Sequence, residues 1–192
     1  MELEDLRDRD IHMVLDTSAW AQLGQMGDVI KAMDIPLMVL DHHQGEDDLG
    51  AMFFKDTTAE AAGKLVADAA DALGVECNAR MARPLFAAVA TDTGWYRFGS
   101  ADAGTYQLAS RLVAAGASPA EIYGELYEQE TLGRLRLRGT VLERVRVELD
   151  GRLAHTFIRL EDFENTGAVP TDTEDLVNLC LTIKGTDAAL IM

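Results

Sequence analysis

The segment IPLMVLDHH, residues 35–43, indicates both the fold class and the place of a functional site. Its first part, residues 35–40, is a short continuous apolar run, which is typical of a strand buried inside a parallel sheet. Asp41, His42 and His43 follow directly, so the strand would present a carboxylate and two imidazoles at its carboxyl end. Open parallel sheets bind their ligands at that end. We therefore expect the site there.

Two further acids follow the same logic. The apolar run IHMVL, residues 11–15, ends in Asp16, and ATDTG, residues 90–94, contains Asp92. Aspartates and imidazoles are ligand types of transition-metal sites. An aspartate at a strand end is commonly a cap, whereas two adjacent histidines there are rarer. The combination predicts a site that gathers the two aspartates and the histidines.

Apolar runs alternate with helical stretches in the first part of the chain. This order predicts an α/β fold, with a parallel sheet flanked by helices. The expected strands are residues 11–16, 36–41 and 51–54, and the expected helices lie near 27–33 and over 57–73, 78–90 and 102–115. The sequence TTAE, residues 57–60, is a capping-box pattern that predicts the start of the second helix. Pro84 is expected to kink the third. We assign residues 1–117 to this first domain.

The later part of the chain changes in composition. Residues 118–145 are helical in composition and are expected to connect two domains. Residues 146–158 read as a hairpin that turns at Asp150-Gly151, and TDTE, residues 171–174, is a second capping-box pattern. A final strand is expected over 187–192. Residues 146–192 therefore predict a second, partial α/β domain.

Composition limits the classes of partner. The chain has 192 residues, 48% of them hydrophobic, and a net charge of −16. We expect no binding of long duplex DNA, because neutralisation of phosphates by basic residues dominates that affinity. A short phosphorylated substrate is compatible with the acidity, since a divalent metal ion supplies local positive charge.

Other patterns exclude further classes. The sequence has no apolar run of roughly 18 residues, so we expect no membrane span. The charged residues 1–10 do not resemble a secretory signal, and Cys77 and Cys180 are expected to be free thiols in a reducing cytoplasm. The sequence also lacks the glycine-rich motifs of nucleotide triphosphatases and dinucleotide-binding proteins.

With these segments in place, the chain resembles the DHH phosphoesterase family. Within that family it is similar to the RecJ-like bacterial group of nano-RNases, oligoribonucleases and 3′-phosphoadenosine 5′-phosphate phosphatases. The resemblance covers nearly the whole chain and rests on VLDTS (14–18), LDHH (40–43), ATDTGWYRF (90–98) and TDTEDLVN (171–178). The last segment looks like the start of the DHH-associated substrate domain, so the resemblance implies a DHH domain followed by part of that second domain.

The resemblance implies a metal-dependent phosphoesterase that hydrolyses short oligonucleotides or small nucleotides. Two divalent ions, with Mn²⁺ expected, would activate a water molecule and neutralise phosphoryl charge. Asp16 would bridge the two ions, and His42 and Asp92 would ligate one of them. His43 would contact the substrate phosphate and protonate the leaving oxygen, and Asp41 would orient a neighbouring histidine.

Arg97 is a further candidate for substrate binding, together with His43. It follows Trp95 and Tyr96 close to Asp92. An arginine in this position can hold a phosphate oxygen, and the aromatic rings can stack a base. Equally, the segment can be a surface arginine beside core aromatics. The sequence leaves both interpretations open.

Two family motifs are not found in this chain. No His-x-x-x-Asp-x-Asp motif precedes Ile11, and no Gly-Gly-Gly-His motif follows residue 178. We therefore expect a fragment of the family pattern. The alternatives to the phosphoesterase are a non-catalytic nucleotide- or metal-binding fragment and a cyclic-dinucleotide phosphodiesterase. A homodimer is expected from the resemblance alone.

Overall fold

A computed structural model describes residues 8–192. The charged lead predicted at residues 1–10 therefore lies mostly outside the described residues. The chain divides into two compact units, the first ending at Tyr123 and the second running from Gly124 to Met192. The boundaries that the sequence predicts, after residues 117 and 145, stay predictions.

The sheet of the first unit is parallel. Its order is β1-β2-β3, with β1 at His12–Leu15, β2 at Leu37–Asp41 and β3 at Met52–Lys55. The register pairs Leu15 with Leu40 and Asp41 with Lys55. The three strands expected from the sequence are present, and their carboxyl ends lie at one edge of the sheet.

Helices flank this sheet. They are α1 at Trp20–Leu23, α2 at Gln25–Lys31, α3 at Ala62–Ala72, α4 at Ala79–Asp92, α5 at Ala103–Ala114, and α6 at Pro119–Tyr127, which contains the division between the units. One apolar cluster, around Phe86, Val89 and Leu112, joins α3, α4 and α5. A second, around Val14 and Val39, packs against the segment of α1 and α2. The predicted fold class, a parallel sheet flanked by helices, is confirmed.

The predicted start of α3 is wrong. The helix begins at Ala62, after the TTAE pattern of residues 57–60 has ended. The carboxylate of Asp56 accepts hydrogen bonds from both the amide and the hydroxyl of Thr58, at 2.9 and 2.6 Å. Such a local side-chain turn competes with helix formation. It keeps residues 57–60 out of the helix.

The position of Asp92 also differs from expectation. The sequence predicts a helix that ends near residue 90 and a loop that holds Asp92, whereas α4 continues through Pro84 and has Asp92 as its last residue. Asn78 caps the start of α4 by accepting hydrogen bonds from two amides of its first turn. Asp92 therefore stands at the carboxyl end of a helix, not in a loop.

The second unit contains a small mixed sheet in the order β4-β5-β6. Its elements are α7 at Leu132–Glu143, β4 at Arg146–Glu148, β5 at Leu153–Thr156, α8 at Leu160–Thr166, a 3₁₀ turn at Pro170–Thr173, α9 at Leu176–Leu181 and β6 at Ala188–Ile191. Strands β4 and β5 are antiparallel, and β5 and β6 are parallel. Leu137, Val141 and Leu176 are fully buried in its core. None of the helices described from residue 8 onward has the length and apolar character to cross a membrane.

Two local predictions in this part need correction. The helical stretch 118–145 is interrupted between α6 and α7, and α9 begins at Leu176, beyond the TDTE pattern. The predicted hairpin is present, with Asp150 and Gly151 at the centre of its four-residue loop. The amide of Arg152 donates to the carbonyl of Leu149 at 3.2 Å across these two residues, both of which have positive φ.

A buried ion pair links α8 to the end of α7. Asp162 is 3% exposed and accepts two hydrogen bonds from the Arg144 guanidinium, at 2.5 and 2.8 Å. The amide of Arg159 donates a third, at 2.7 Å. The bonds from Arg144, followed by the bond from Arg159, lower the pKa of Asp162 to about 2 from an ordinary value of 3.8. The carboxylate therefore stays charged in the folded protein.

Acid should weaken the fold through Asp162. A depressed folded-state pKa gives stability that is complete above the unfolded value and is lost as the pH falls towards the folded value. The shift of Asp162 corresponds to about 2 kcal/mol, lost between roughly pH 5 and pH 2. Urea unfolding from pH 6 to pH 3 should show about half of this loss, roughly 1 kcal/mol, in the native chain and a smaller loss in Asp162→Asn. The control is Glu164→Gln, at an exposed position on the same helix, which should lose as much stability in acid as the native chain. If Glu164→Gln lost as little stability as Asp162→Asn, the assignment to Asp162 would be contradicted.

Candidate metal centre

Two of the predicted residues, both aspartates, lie close to one ring nitrogen of a third, His42. The Nε2 atom of His42 is 3.3 Å from Oδ1 of Asp16 and 3.6 Å from Oδ2 of Asp92. Asp16 follows β1 and His42 follows β2, at the carboxyl edge of the sheet, and Asp92 reaches them from the end of α4. The fold thus brings together side chains that are up to 76 positions apart in the sequence.

The ring of His42 is oriented by the backbone. Its Nδ1 atom lies 3.1 Å from the carbonyl oxygen of Ala59. A carbonyl oxygen only accepts, so Nδ1 carries a proton, and Nε2 is the ring nitrogen that faces the two aspartates. Histidines that bind metals are commonly held in this way, through the ring nitrogen that does not contact the metal. The orientation of His42 therefore fits a metal ligand.

Asp16 leaves the strand through a sharp backbone turn. Its φ is +66°, in the left-handed region, which aspartate tolerates better than most residues. Its amide still donates to the carbonyl of Leu40 at 3.0 Å, so the ladder between β1 and β2 continues to this residue. The side chain is half exposed. The turn thus directs a carboxylate out of the sheet edge and towards His42.

Asp92 is in an unfavourable place for a negative charge. It occupies the carboxyl end of α4, where the helix dipole is also negative. Burial raises its pKa, the nearby Asp16 carboxylate raises it further, and the imidazoles of His42 and His43 act in the opposite direction. Two carboxylates crowded on one imidazole are stabilised by a cation. The donor set therefore fits a divalent metal ion.

His43 is held by the fully buried carboxylate of Asp41. Its Nδ1 atom donates to Oδ1 of Asp41 at 2.7 Å, and its amide donates to the same oxygen at 3.2 Å. Ser18 donates to the other oxygen at 2.5 Å. Burial alone would raise the pKa of Asp41, but the hydrogen bonds from Ser18 and His43 outweigh it and lower the pKa to about 2. The bond to Asp41 in turn raises the pKa of His43.

The closest metal-ligand cluster differs slightly from the predicted one. Among residues 8–192, ligand atoms of Asp16, His42 and His43 all lie within 4.8 Å of one another. Asp92 was predicted as the third ligand, and its carboxylate adjoins His42. Mixed oxygen and nitrogen donors suit Mn²⁺, Fe²⁺, Co²⁺ and Zn²⁺. The ligand roles of individual residues stay predictions.

An apolar cavity of about 460 Å³ opens beside these carboxylates. Asp16 and Asp92 contribute to its wall, together with Leu15, Val66 and Pro84. Small-molecule sites in proteins are mostly apolar clefts of roughly 300–1,000 Å³ with a few polar groups. The candidate metal centre therefore has room for a small ligand at its side.

Arg97 is not part of this cluster. Its side chain is exposed, and its Nε atom donates to the carbonyl of Gly94 at 2.7 Å. Trp95 and Tyr96 pack against the hydrophobic core, with ring centroids 6.0 and 5.8 Å from that of Phe86. The structure thus favours core aromatics over base stacking for these two residues. Substrate binding by Arg97 stays a prediction.

Two residues of the site were not predicted from the sequence. Ser18 lies within the 14–18 segment but showed no separate signal, and Lys55 only marked the end of an apolar run. Lys55 reaches Asp41 because the register between β2 and β3 places them side by side. The Nζ atom of Lys55 is 3.6 Å from Oδ2 of Asp41. No spacing rule in the sequence predicts this contact.

Comparison with known proteins identifies related enzymes. No known family profile matches the chain. It is 27% identical over 152 residues to the bifunctional oligoribonuclease and PAP phosphatase NrnA of Bacillus subtilis, covering 78% of this chain and 48% of that protein. It is 29% identical over 153 residues to NrnA of Thermus thermophilus, covering 80% and 45%. The chain thus spans about half the length of these curated relatives.

A solved structure agrees on the fold. The crystal structure of an exopolyphosphatase-related protein from Bacteroides fragilis matches with a TM-score of 0.90 and 24% identity, over 96% of this chain and 55% of that one. This likeness supports the arrangement of the chain. Together with the NrnA relatives, it confirms the resemblance to DHH-type phosphoesterases, at modest identity.

Removal of the central imidazole should weaken metal binding. We expect His42→Ala to lower Mn²⁺ affinity by at least tens-fold, because Nε2 of His42 lies between both candidate carboxylates. Calorimetric titration with Mn²⁺ measures this directly. His155→Ala, in the second sheet, is the matched histidine control and should bind as the native chain does. Equal affinity in His42→Ala and His155→Ala would refute the site.

Proposed function

We propose that this chain is a metal-dependent phosphoesterase that acts on short oligonucleotides or on small nucleotides such as 3′-phosphoadenosine 5′-phosphate. The observation that carries the proposal is the convergence of Asp16 and Asp92 on the free nitrogen of His42. The names of the NrnA relatives, which include oligoribonuclease and PAP phosphatase, support the substrate class.

The proposed metal is Mn²⁺, held by Asp16, His42 and Asp92. Carboxylate and imidazole donors together suit this ion, and the crowded carboxylates provide the negative charge that attracts it. A bound divalent ion lowers the pKa of water and neutralises charge on phosphoryl oxygens, and the family site uses two such ions. His42 contributes a fixed direction, since its ring is bonded to the carbonyl of Ala59.

His43 is the proposed catalytic residue that faces the substrate. Asp41 holds its Nδ1 atom, so Nε2 is left to contact a phosphate oxygen or to give a proton to the leaving oxygen. The side chain of His43 is 54% exposed, in contrast to the wholly buried carboxylate behind it. Asp41 thus serves as an internal support for a ring that reaches solvent.

The second unit is proposed to begin the substrate-binding domain. In this proposal residues 1–117 form the DHH domain, 118–145 the connection and 146–192 the start of the DHH-associated domain. Asp175, with φ +66°, precedes α9, and its carboxylate accepts a hydrogen bond from the side-chain Nδ2 of Asn178 at 3.1 Å. This bond lies within the 171–178 segment that carries the resemblance.

Charge and thiol chemistry support the proposed setting. The net charge of −16 favours a short substrate bound at the metal centre over a long duplex. Cys77 and Cys180 are free thiols in the structure, which suits a reducing cytoplasm. Homodimerisation stays a proposal from the family resemblance.

A second candidate is a module that binds one metal ion without catalysis. It is favoured by the size of the cluster, because Asp16, His42 and His43 form a three-ligand set among the described residues. One ion could position a nucleotide while activating water poorly. The number of Mn²⁺ ions bound per chain separates the candidates: about two support the phosphoesterase, and one supports the binding module.

Hydrolysis of a dinucleotide tests the proposed activity. We expect release of mononucleotide from 5′-phosphorylated diadenylate in the presence of Mn²⁺, and loss of that release in Asp92→Ala. Chromatography of the products measures both. No release by the native chain, with Mn²⁺ bound, would instead support the binding module.

His43 should separate catalysis from metal binding. We expect His43→Ala to keep Mn²⁺ affinity within a few-fold and to lower turnover by roughly 10²-fold or more, as for loss of a general acid. Titration of Mn²⁺ and the dinucleotide assay give the two values. Loss of the metal from this variant would show that His43 is a ligand, in agreement with its place in the three-residue cluster.

A further inference from the structure

Lys55 makes an unusual set of contacts beneath the candidate site. Its Nζ atom lies 2.9 Å from the hydroxyl of Ser18, 2.6 Å from the carbonyl of Gly45 and 3.4 Å from the carboxylate of Glu46. The buried Asp41 carboxylate is 3.6 Å away. The Lys55 side chain is only 13% exposed, and Asp41 is fully buried, whereas Glu46 lies at the surface.

These contacts join the end of β3 to the segments that follow β1 and β2. Lys55 ends β3, Ser18 lies beyond β1 and Gly45 lies beyond β2. The two segments also contact each other directly, because the amide of Asp47 donates to the carbonyl of Ser18 at 2.8 Å and the Ser18 hydroxyl lies 2.9 Å from the carbonyl oxygen of Gly45. The ammonium group adds to the contacts between the segments that supply Asp16 and the two histidines.

The hydrogen bonds also have a defined direction. An ammonium group only donates, so the Ser18 oxygen accepts from Lys55 and directs its own proton elsewhere. The nearest acceptor is Oδ2 of Asp41, at 2.5 Å. The other oxygen of Asp41 accepts from the ring of His43. The order of donors is thus fixed from Lys55 through Ser18 and Asp41 to His43.

The positive charge of Lys55 also lies close to the negative charge of Asp41. Asp41 is completely buried, and a buried carboxylate is costly unless it is paired and hydrogen-bonded. Ser18 supplies a neutral hydrogen bond, and Lys55 supplies positive charge at 3.6 Å. Without the ammonium group, the Asp41 carboxylate would keep only its hydrogen bonds from Ser18 and His43.

We propose that Lys55 is a positioning residue of the metal centre. It sets the distance between Asp16 and the His42-His43 pair by holding Ser18 and Gly45 together, and it touches neither the metal nor the substrate. This inference rests on the proposed metal-dependent function. A purely structural ion pair would predict a different result: loss of stability with unchanged metal affinity.

The test compares Lys55→Met, which keeps the length and removes the charge, with Lys55→Arg, which keeps the charge. Lys31→Met is the matched control, because Lys31 lies over the Trp20 ring at the end of α2, before β2 begins. Mn²⁺ affinity is measured by calorimetry, the ligand geometry by the visible spectrum of bound Co²⁺, and folding by thermal melting.

We expect Lys55→Met to lower Mn²⁺ affinity about 10- to 100-fold, the usual effect of removing a group that orients metal ligands, and to alter the Co²⁺ spectrum. Lys55→Arg should recover most of the affinity, and Lys31→Met should match the native chain. If the native chain binds Mn²⁺ and Lys55→Met binds it equally well, the inference is overturned, whatever the melting temperature.

Two other outcomes are also decisive. If the native chain binds no Mn²⁺, the proposed function fails before the role of Lys55 is reached. If Lys55→Met does not fold, Lys55→Gln takes its place, because it removes the charge and keeps a polar side chain at the same position. Reduced Mn²⁺ affinity in a folded Lys55→Gln supports the inference, and native affinity overturns it.

Discussion

The hydrogen bonds to the buried carboxylate of Asp41 hold the site together. It receives hydrogen bonds from the segments after β1 and β2 and lies beside the ammonium at the end of β3. Parallel strands bring these ends to one edge, but strand pairing alone does not fix the loops that follow. The hydrogen bonds to Asp41 fix them, because leaving a buried charge unsatisfied would cost several kcal/mol.

Around this support, the outer groups are arranged by charge. His42 takes its direction from a backbone carbonyl, so its free nitrogen faces Asp16 and Asp92, which repel each other. His43 takes its direction from Asp41 and reaches solvent. The two neighbouring histidines thus have distinct environments. The ring of His42 faces the carboxylates, and the ring of His43 reaches solvent. This difference fits the two proposed roles, one imidazole as a metal ligand and one as a proton donor to the substrate.

The sequence predicted the strands correctly but misplaced helix ends and did not predict a contact between strands. Apolar runs gave the three strands, and the composition of residues 35–43 placed the histidines at a strand end. Asp92 was expected in a loop after a helix that ends near residue 90, yet α4 continues for two more residues and ends at Asp92. The capping box at residues 57–60 failed because Asp56 captures Thr58 first. The contact of Lys55 with Asp41 depends on strand register, which sequence composition does not encode.

The left-handed backbone conformation of Asp16 lowers stability at a position whose carboxylate is proposed to bind a metal ion. A residue other than glycine pays roughly 1 kcal/mol to adopt this conformation. Glycine at this position would relieve the strain, while it would delete the carboxylate. A laboratory search for more stable variants of this chain would therefore meet a trade-off at residue 16 between stability and the proposed metal site.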